Sequence, residues 1–180
     1  MNTATDLQIA QSKLLQSILN DTKTVENRQN LGPMVPIRLF QALRLIALGT
    51  GLEEMLGDGS RALVYQSGQR LGQVLGGAVK DAAEGQLDHY VELVRGLCIQ
   101  LSIGQVVPER VALDAGEISL RVDECVSCAG ITGTTSPICH FETGMVGGIV
   151  REFLGAPVRA VETRCNAIGD KTCGIDVKVI

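Results

Sequence analysis

Apolar positions in the first hundred residues recur with the period of an α-helix. This spacing predicts four helical segments, over about residues 5–30, 36–56, 60–80 and 87–101. The first segment is amphipathic and otherwise polar, so we expect its apolar side to dock on another surface, such as a partner subunit.

The apolar period changes from about four residues to two beyond residue 104. Alternating apolar residues on both sides of Asp114-Ala115-Gly116 predict a β-hairpin. A helix is expected over about residues 138–154, followed by strands over residues 158–165 and 172–179. Helices followed by strands predict an α+β fold, in which a helical layer packs on a small antiparallel sheet.

Length, composition and charge narrow the function classes. The 180 residues fit one domain, predicted over residues 35–180 and preceded by a helical extension over residues 1–34. The net charge of −4 argues against nucleic acid as the main partner, because phosphate binding needs a clustered basic face. The apolar stretch at residues 39–48 is interrupted by Gln41 and Arg44 and is too short to span a membrane. With no secretory signal visible, we expect a cytoplasmic location.

Metal-ligand residue types are concentrated in the last third of the chain. Cys139, Glu162, Cys165 and Cys173 would form a closed tetrahedral zinc shell, and such a shell stabilises a fold. Glu162 and Cys165 have opposite parity on a regular strand, so both face one ion only if the strand ends or bulges between them. The alternative is three buried cysteines and a surface carboxylate.

Cys125 and Cys128 form a CxxC pair just upstream. Such a pair binds metal, forms a labile disulfide or stays unligated, and the sequence leaves these alternatives open. A second metal or an iron–sulfur cluster there would need two further ligands, from Cys139, Cys98 or a second subunit. Cys98 is itself expected in the core of a helix.

The C-terminal pattern resembles the 4-vinyl-reductase domain family. Cys139 opens a glycine-rich helix, the segments VETRC (161–165) and AIGDKTC (167–173) follow, and GQRLG (68–72) lies upstream. The resemblance, over roughly residues 35–179, implies the fold of transport-particle (TRAPP) subunits, often a homodimer with a hydrophobic cavity. In the phenol-sensing members, cysteines and a glutamate spaced like the four residues above hold a structural zinc.

The chain resembles the stand-alone members linked to phototrophs. The resemblance implies a zinc-stabilised protein that binds a hydrophobic, tetrapyrrole-type molecule in pigment handling or photosystem II assembly, with photosystem assembly proteins as partners. His89 and Tyr90 fall near the region that closes over the ligand in the phenol sensors. Gly68 and Gly72 belong to a glycine stripe that suits close helix packing or a flat ligand.

Two other functions remain open at this stage. One is a reductase of a tetrapyrrole vinyl group that uses a redox centre at Cys125 and Cys128. The other is an assembly scaffold without a ligand. The sequence contains no phosphate-binding signature and only two histidines, so it predicts no catalytic set of side chains.

Overall fold

The computed structural model describes residues 3–20, 28 and 34–180. Contacts divide the chain into two compact units, residues 1–36 and 37–180. The first unit contains helix α1, Thr3–Leu19. Most of the predicted helix beyond residue 20 lies outside the described residues.

The second unit contains the other helices, close to their predicted positions. They are α2 (Ile37–Ala42), α3 (Gly51–Leu56), α4 (Gly59–Lys80), α5 (Leu87–Gln100) and α6 (His140–Leu154). A π-helix, Leu43–Thr50, connects α2 to α3 without a break, although the sequence predicted ordinary helix there. The wider turn is visible where the amide of Gly51 donates to the carbonyl of Ile46, five residues earlier.

Helices α4 and α6 pack with their backbones in direct contact. A side chain at Gly68 would collide with the carbonyl of Phe141, and one at Gly72 with the carbonyl of Met145. Gly144 and Gly148 of α6 meet the α4 backbone in the same way. The glycine stripe therefore serves helix packing.

Four antiparallel strands form a single sheet. They are β1 (Gln105–Ala112), β2 (Glu117–Asp123), β3 (Val158–Arg164) and β4 (Cys173–Val179), in the order β1-β2-β4-β3. Ile118, Leu120 and Val122 are buried on one face of β2, as the alternating pattern predicted. The predicted α+β fold, a helical layer on a small antiparallel sheet, is confirmed.

The sheet pairing brings four distant chain positions to one place. Val122, near the end of β2, pairs with Cys173 at the start of β4. The chain leaves β2 into the CxxC turn, leaves β3 at Cys165, and enters α6 directly after Cys139. Every predicted metal ligand therefore lies at or next to the end of a strand or helix.

Candidate metal centre

Five buried cysteines converge beside the ends of β2, β3 and β4. The Sγ atoms of Cys125 and Cys139 are 3.6 Å apart, those of Cys128 and Cys173 are 3.3 Å apart, and those of Cys139 and Cys165 are 3.8 Å apart. A tetrahedral ion with zinc–sulfur bonds of about 2.3 Å separates its sulfur ligands by about 3.8 Å. The sulfur spacing therefore suits thiolates that share an ion.

The ligand atoms fall into two overlapping sets of four, and within each set they all lie within 4.8 Å of one another. The all-sulfur set consists of Cys125, Cys128, Cys139 and Cys173. The mixed set consists of Cys139, Glu162, Cys165 and Cys173. These are the groups of this kind among the described residues, and Cys139 and Cys173 belong to both. The CxxC pair and the predicted zinc ligands thus form one cluster.

A local irregularity lets Glu162 and Cys165 face the same point. The register of β3 against β4 shifts between Glu162 and Arg164, and the strand ends at Arg164. This irregularity removes the conflict of strand parity. The sequence alone could state that condition but could not show that the chain meets it.

The carboxyl group of Glu162 has an unpaired oxygen within the cluster. Its Oε2 accepts a hydrogen bond of 3.0 Å from the backbone amide of Cys139. Its buried Oε1 has no hydrogen-bond partner among the described residues. Burial, with the nearby Cys165 thiol, raises the pKa of Glu162 to about 9. A bound cation would satisfy the free oxygen and favour the ionised carboxylate, so the donor set fits a divalent metal.

The turn between Cys165 and Cys173 is held by its own polar groups. The amide of Cys165 donates to Oδ2 of Asp170 at 2.8 Å. The side-chain amide of Asn166 donates to the carbonyls of Asp170 and Lys171 at 2.7 and 2.8 Å. These bonds fix the path of the chain from one cysteine toward the next.

Helix α2 fixes the CxxC turn through a buried glutamine. Nε2 of Gln41 donates to the carbonyls of Val126 and Ala129, each at 3.0 Å. Gln41 is 4% exposed, so these bonds are shielded from water. Sequence reasoning missed this role, although a glutamine within an apolar helical stretch is a usable signal for a buried polar contact.

A buried ion pair joins the same turn to the π-helix. Oγ of Ser127 donates to Oε1 of Glu142 at 2.6 Å. Oε2 of that carboxylate lies 3.6 Å from Nη2 of Arg44, which belongs to the π-helix. The guanidinium also stacks 4.6 Å from the ring centre of Phe141. Sequence reasoning treated Arg44 only as an interruption of an apolar run.

Contacts among the thiols shift their acidities in opposite directions. Hydrogen bonds from Cys128 and then Cys139 lower the pKa of Cys165 to about 5. Contacts with Cys125 and the other thiols, together with burial, raise the pKa of Cys139. The cluster therefore already contains thiolate at neutral pH, and thiolate is the form that binds metal.

Cys98 lies apart from this cluster. It is 1% exposed on α5, and burial raises the pKa of its thiol to about 11. This agrees with the core position expected from the sequence. None of the six cysteines, all of which lie in the described part of the chain, forms a disulfide.

An apolar cavity of about 60 Å³ lies between α5, α6 and the first two strands. Its walls include Leu87, Tyr90, Val94, Leu120, Val146 and Ile149. The hydroxyl of Tyr90 is buried and donates to the carbonyl of Ile149 at 2.9 Å.

Three of the four predicted ligand-binding residues lie outside this cavity. Tyr90 lines it, whereas the neighbouring His89 is exposed to solvent. Adjacent residues of a helix point about 100° apart, so the two cannot share one face. Gly68 and Gly72 face the α6 backbone. For this cavity, their assignment as ligand-binding residues needs correction.

Comparison with known proteins finds one family whose model matches part of the chain. Residues 118–179 match the vinyl-4-reductase domain. The match spans β2 to β4 and contains every residue of the cysteine cluster. It agrees with the resemblance stated from the C-terminal pattern.

Two proteins of Methanocaldococcus jannaschii are similar over most of the chain. One is 27% identical over 178 residues, which cover 97% of this chain and 95% of the relative. The other is 26% identical over 152 residues, covering 84% and 83%. Both come from an archaeon, and they lend no support to the phototroph type predicted from the sequence.

Solved structures with the same fold include a sensory domain and a vinyl-4-reductase family protein. The first is the phenol-responsive sensory domain of the transcription activator PoxR, with a TM-score of 0.68 at 17% identity, covering 92% of this chain and 88% of that one. The second, from M. jannaschii, has a TM-score of 0.63 at 15% identity and covers 94% of both chains.

A trafficking protein particle complex subunit 3 from Naegleria fowleri, covalently bound to palmitic acid, also shares the fold. Its TM-score is 0.56 at 15% identity, covering 79% of this chain and 96% of that one. The predicted relation to transport-particle subunits is therefore confirmed at the level of the fold. Among the described helices, none has the length and apolar character needed to cross a membrane.

Proposed function

We propose that this protein is a zinc-stabilised module that binds a small hydrophobic molecule. The observation that carries the proposal is the buried convergence of five thiols on the carboxylate of Glu162, whose Oε1 has no hydrogen-bond partner among the described residues. Thiolate-rich tetrahedral sites select zinc among the abundant divalent ions. Four protein ligands leave no open position, so the metal has a structural role.

The mixed set is the proposed zinc site, as the sequence predicted. An ion bound by Cys139, Glu162, Cys165 and Cys173 would tie the β3–β4 pair to the start of α6. Because α6 also forms one wall of the apolar cavity, the metal would hold that wall in place against the sheet. Metal binding would then contribute directly to folding.

The cavity between α5 and α6 is the proposed ligand site. At about 60 Å³ it is well below the roughly 300–1,000 Å³ typical of drug-sized pockets, so it suits a single ring or a short chain. Two proteins of this fold were solved with phenol and with palmitic acid, and these ligands support an apolar small molecule here. A tetrapyrrole would require α5 to move away from the sheet.

The rival functions gain less from the geometry. A cubane iron–sulfur cluster binds each thiolate to a different iron, which spreads the sulfur atoms further apart than the 3.3–3.8 Å seen between the closest pairs here. A redox centre at Cys125 and Cys128, on which the reductase hypothesis depends, is therefore disfavoured. A role in pigment handling or photosystem assembly stays a prediction from the resemblance.

The homodimer implied by the resemblance also stays a prediction. Exposed apolar side chains lie along the segment from α2 to α3, including Leu39, Leu43, Ile46 and Met55. A second copy of the chain would have this surface to cover. Light scattering on the purified protein measures the mass directly.

Ligand binding is tested with phenol and short fatty acids as probes. A Val91→Phe substitution narrows the cavity, since Val91 is a half-buried wall residue of α5. Ile99→Phe on the same helix is the control, because Ile99 is 55% exposed and does not line the cavity. Calorimetric binding to the wild type and to Ile99→Phe, weakened at least tenfold in Val91→Phe, supports the proposal. Equal affinity in all three proteins, or no binding by any, would overturn the cavity assignment.

A further inference from the structure

We propose that the cysteine cluster holds two divalent metal ions, with the thiolates of Cys139 and Cys173 bridging them. The inference rests on the proposed zinc site and adds a second ion, held by the all-sulfur set. The decisive observation is that the two ligand sets share these two cysteines and no other residue.

The number of ligands matches a two-metal centre. Two tetrahedral ions have eight coordination positions, and two bridging thiolates each fill one position on both ions. Six protein ligands are then sufficient, and the two sets together supply six. A single ion would leave two ligand-type side chains of the cluster unused.

The sulfur atoms of the CxxC pair face the shared cysteines. Sγ of Cys125 is 3.6 Å from Sγ of Cys139, and Sγ of Cys128 is 3.3 Å from Sγ of Cys173. Both members of the pair have 0% exposure. Their thiols are therefore directed into the cluster, as ligands of a second ion would be.

Charge gives a second, independent argument. Five thiolates and one carboxylate carry −6, so one divalent ion leaves −6 + 2 = −4 and two leave −6 + 4 = −2. Uncompensated charge is costly in a buried site. A second ion therefore lets all six groups ionise at a lower cost than a single ion does.

The surrounding structure holds the CxxC turn as ligand turns are held. Gln41 fixes two carbonyls of the turn, and Ser127, between the two cysteines, bonds to the buried carboxylate of Glu142. Buried partners of this kind orient the ligands of metal sites. The turn is thus arranged before any ion binds.

Metal stoichiometry separates the possible outcomes. The full chain, loaded with zinc under reducing conditions and desalted, should retain two zinc ions by native mass spectrometry and elemental analysis. The Cys125→Ser/Cys128→Ser variant and the Cys165→Ser variant should each retain one, and the control Cys98→Ala should retain two. One ion in the wild type would overturn the two-metal proposal while leaving the proposed zinc function intact. Absence of zinc would overturn both.

Cobalt substitution tests the bridging thiolates. One equivalent of Co²⁺ should give a high-spin electron paramagnetic resonance signal, and a second should reduce the signal per ion because bridging sulfur couples the two spins. The Cys125→Ser/Cys128→Ser variant should show the uncoupled signal only. Two ions whose signals simply add would show separate sites without shared sulfur, and would contradict the bridging roles of Cys139 and Cys173.

Discussion

Cys128 and Cys173 lie 45 residues apart in the chain, yet their sulfur atoms are 3.3 Å from each other. The contact arises because β2 leads into the CxxC turn while its neighbour β4 begins at Cys173. Two motifs that look separate in the sequence are therefore parts of one centre. Metal content and much of the stability of the domain should depend on this arrangement.

Replacing Cys173 with serine should remove metal and stability together. Cys173 belongs to both ligand sets, so no complete set of four remains. We expect a loss of at least about 3 kcal/mol in unfolding free energy, or roughly 6–12 °C in Tm, for a domain of this size. Urea unfolding and zinc content measured on the same sample check this.

The buried Cys98 provides the matched control for that experiment. Cys98→Ala removes a thiol from α5 outside the cluster, so zinc content should not change. Unchanged zinc in Cys173→Ser, or zinc loss in Cys98→Ala, would refute the ligand assignment.

Replacing Gln41 with alanine should loosen the CxxC turn. The carbonyls of Val126 and Ala129 would each lose a buried hydrogen bond, at about 1–3 kcal/mol for a stranded polar group. Hydrogen exchange at the turn amides should also become faster. Gln105→Ala is the control, because Gln105 makes an exposed bond to Glu124. Equal stability of the two variants would argue against the role of Gln41.

The buried pair between Arg44 and Glu142 should show strong coupling. Glu142→Gln leaves the guanidinium without its ionic partner and should cost about 3–5 kcal/mol. The Arg44→Met/Glu142→Gln double variant should recover part of that loss, since no unpaired charge then remains. Denaturant unfolding of all four proteins measures the coupling, and strictly additive losses would contradict it.

Gly72 on α4 should not tolerate even a methyl group. Its Cβ would meet the α6 backbone at Met145, so Gly72→Ala should destabilise by about 1–3 kcal/mol. Gly77→Ala on the same helix should be neutral or stabilising by up to about 1 kcal/mol, because its nearest neighbour is 3.9 Å away. Thermal unfolding compares the two, and a larger loss at Gly77 would contradict the packing described here.

Zinc affinity should rise with pH between about 6 and 8. The pKa of Glu162 is raised to about 9 by burial and by Cys165, so without metal this carboxyl is protonated over that range. Zinc must displace the proton, and each released proton adds about a tenfold gain in affinity per pH unit. The stability gained from zinc is accordingly lost as the pH falls.

The Glu162→Gln variant isolates that contribution. Glutamine has no proton to release, so its affinity should depend on pH less steeply by one power of ten per unit. Competition with a chromophoric chelator at several pH values gives both slopes. Identical slopes in the two proteins would show that Glu162 does not bind the metal.

The fold was accessible from the sequence because local periodicity determines it. The alternation at Ile118, Leu120 and Val122 predicted the buried face of β2, and the glycines of α4 and α6 signalled close packing. The face of α5 that carries Tyr90 and Val94 was predicted as apolar and lines the cavity. His89 lies off that face, and helical phase alone would have excluded it.

The joining of the two cysteine motifs was beyond sequence reasoning. It depends on the pairing of Val122 with Cys173, a long-range register that periodicity does not specify. The buried roles of Gln41 and Arg44 depend on partners 85 and 98 positions along the chain, the latter from 142 − 44. Such contacts appear in a sequence only as polar interruptions of an apolar pattern.

X-ray absorption at the zinc edge of the native protein tests the central claim most directly. Our account predicts a first shell dominated by sulfur at about 2.3 Å, with at most one oxygen neighbour at about 2.0–2.2 Å per ion. A shell made only of oxygen and nitrogen, or a protein that carries no zinc, would contradict it.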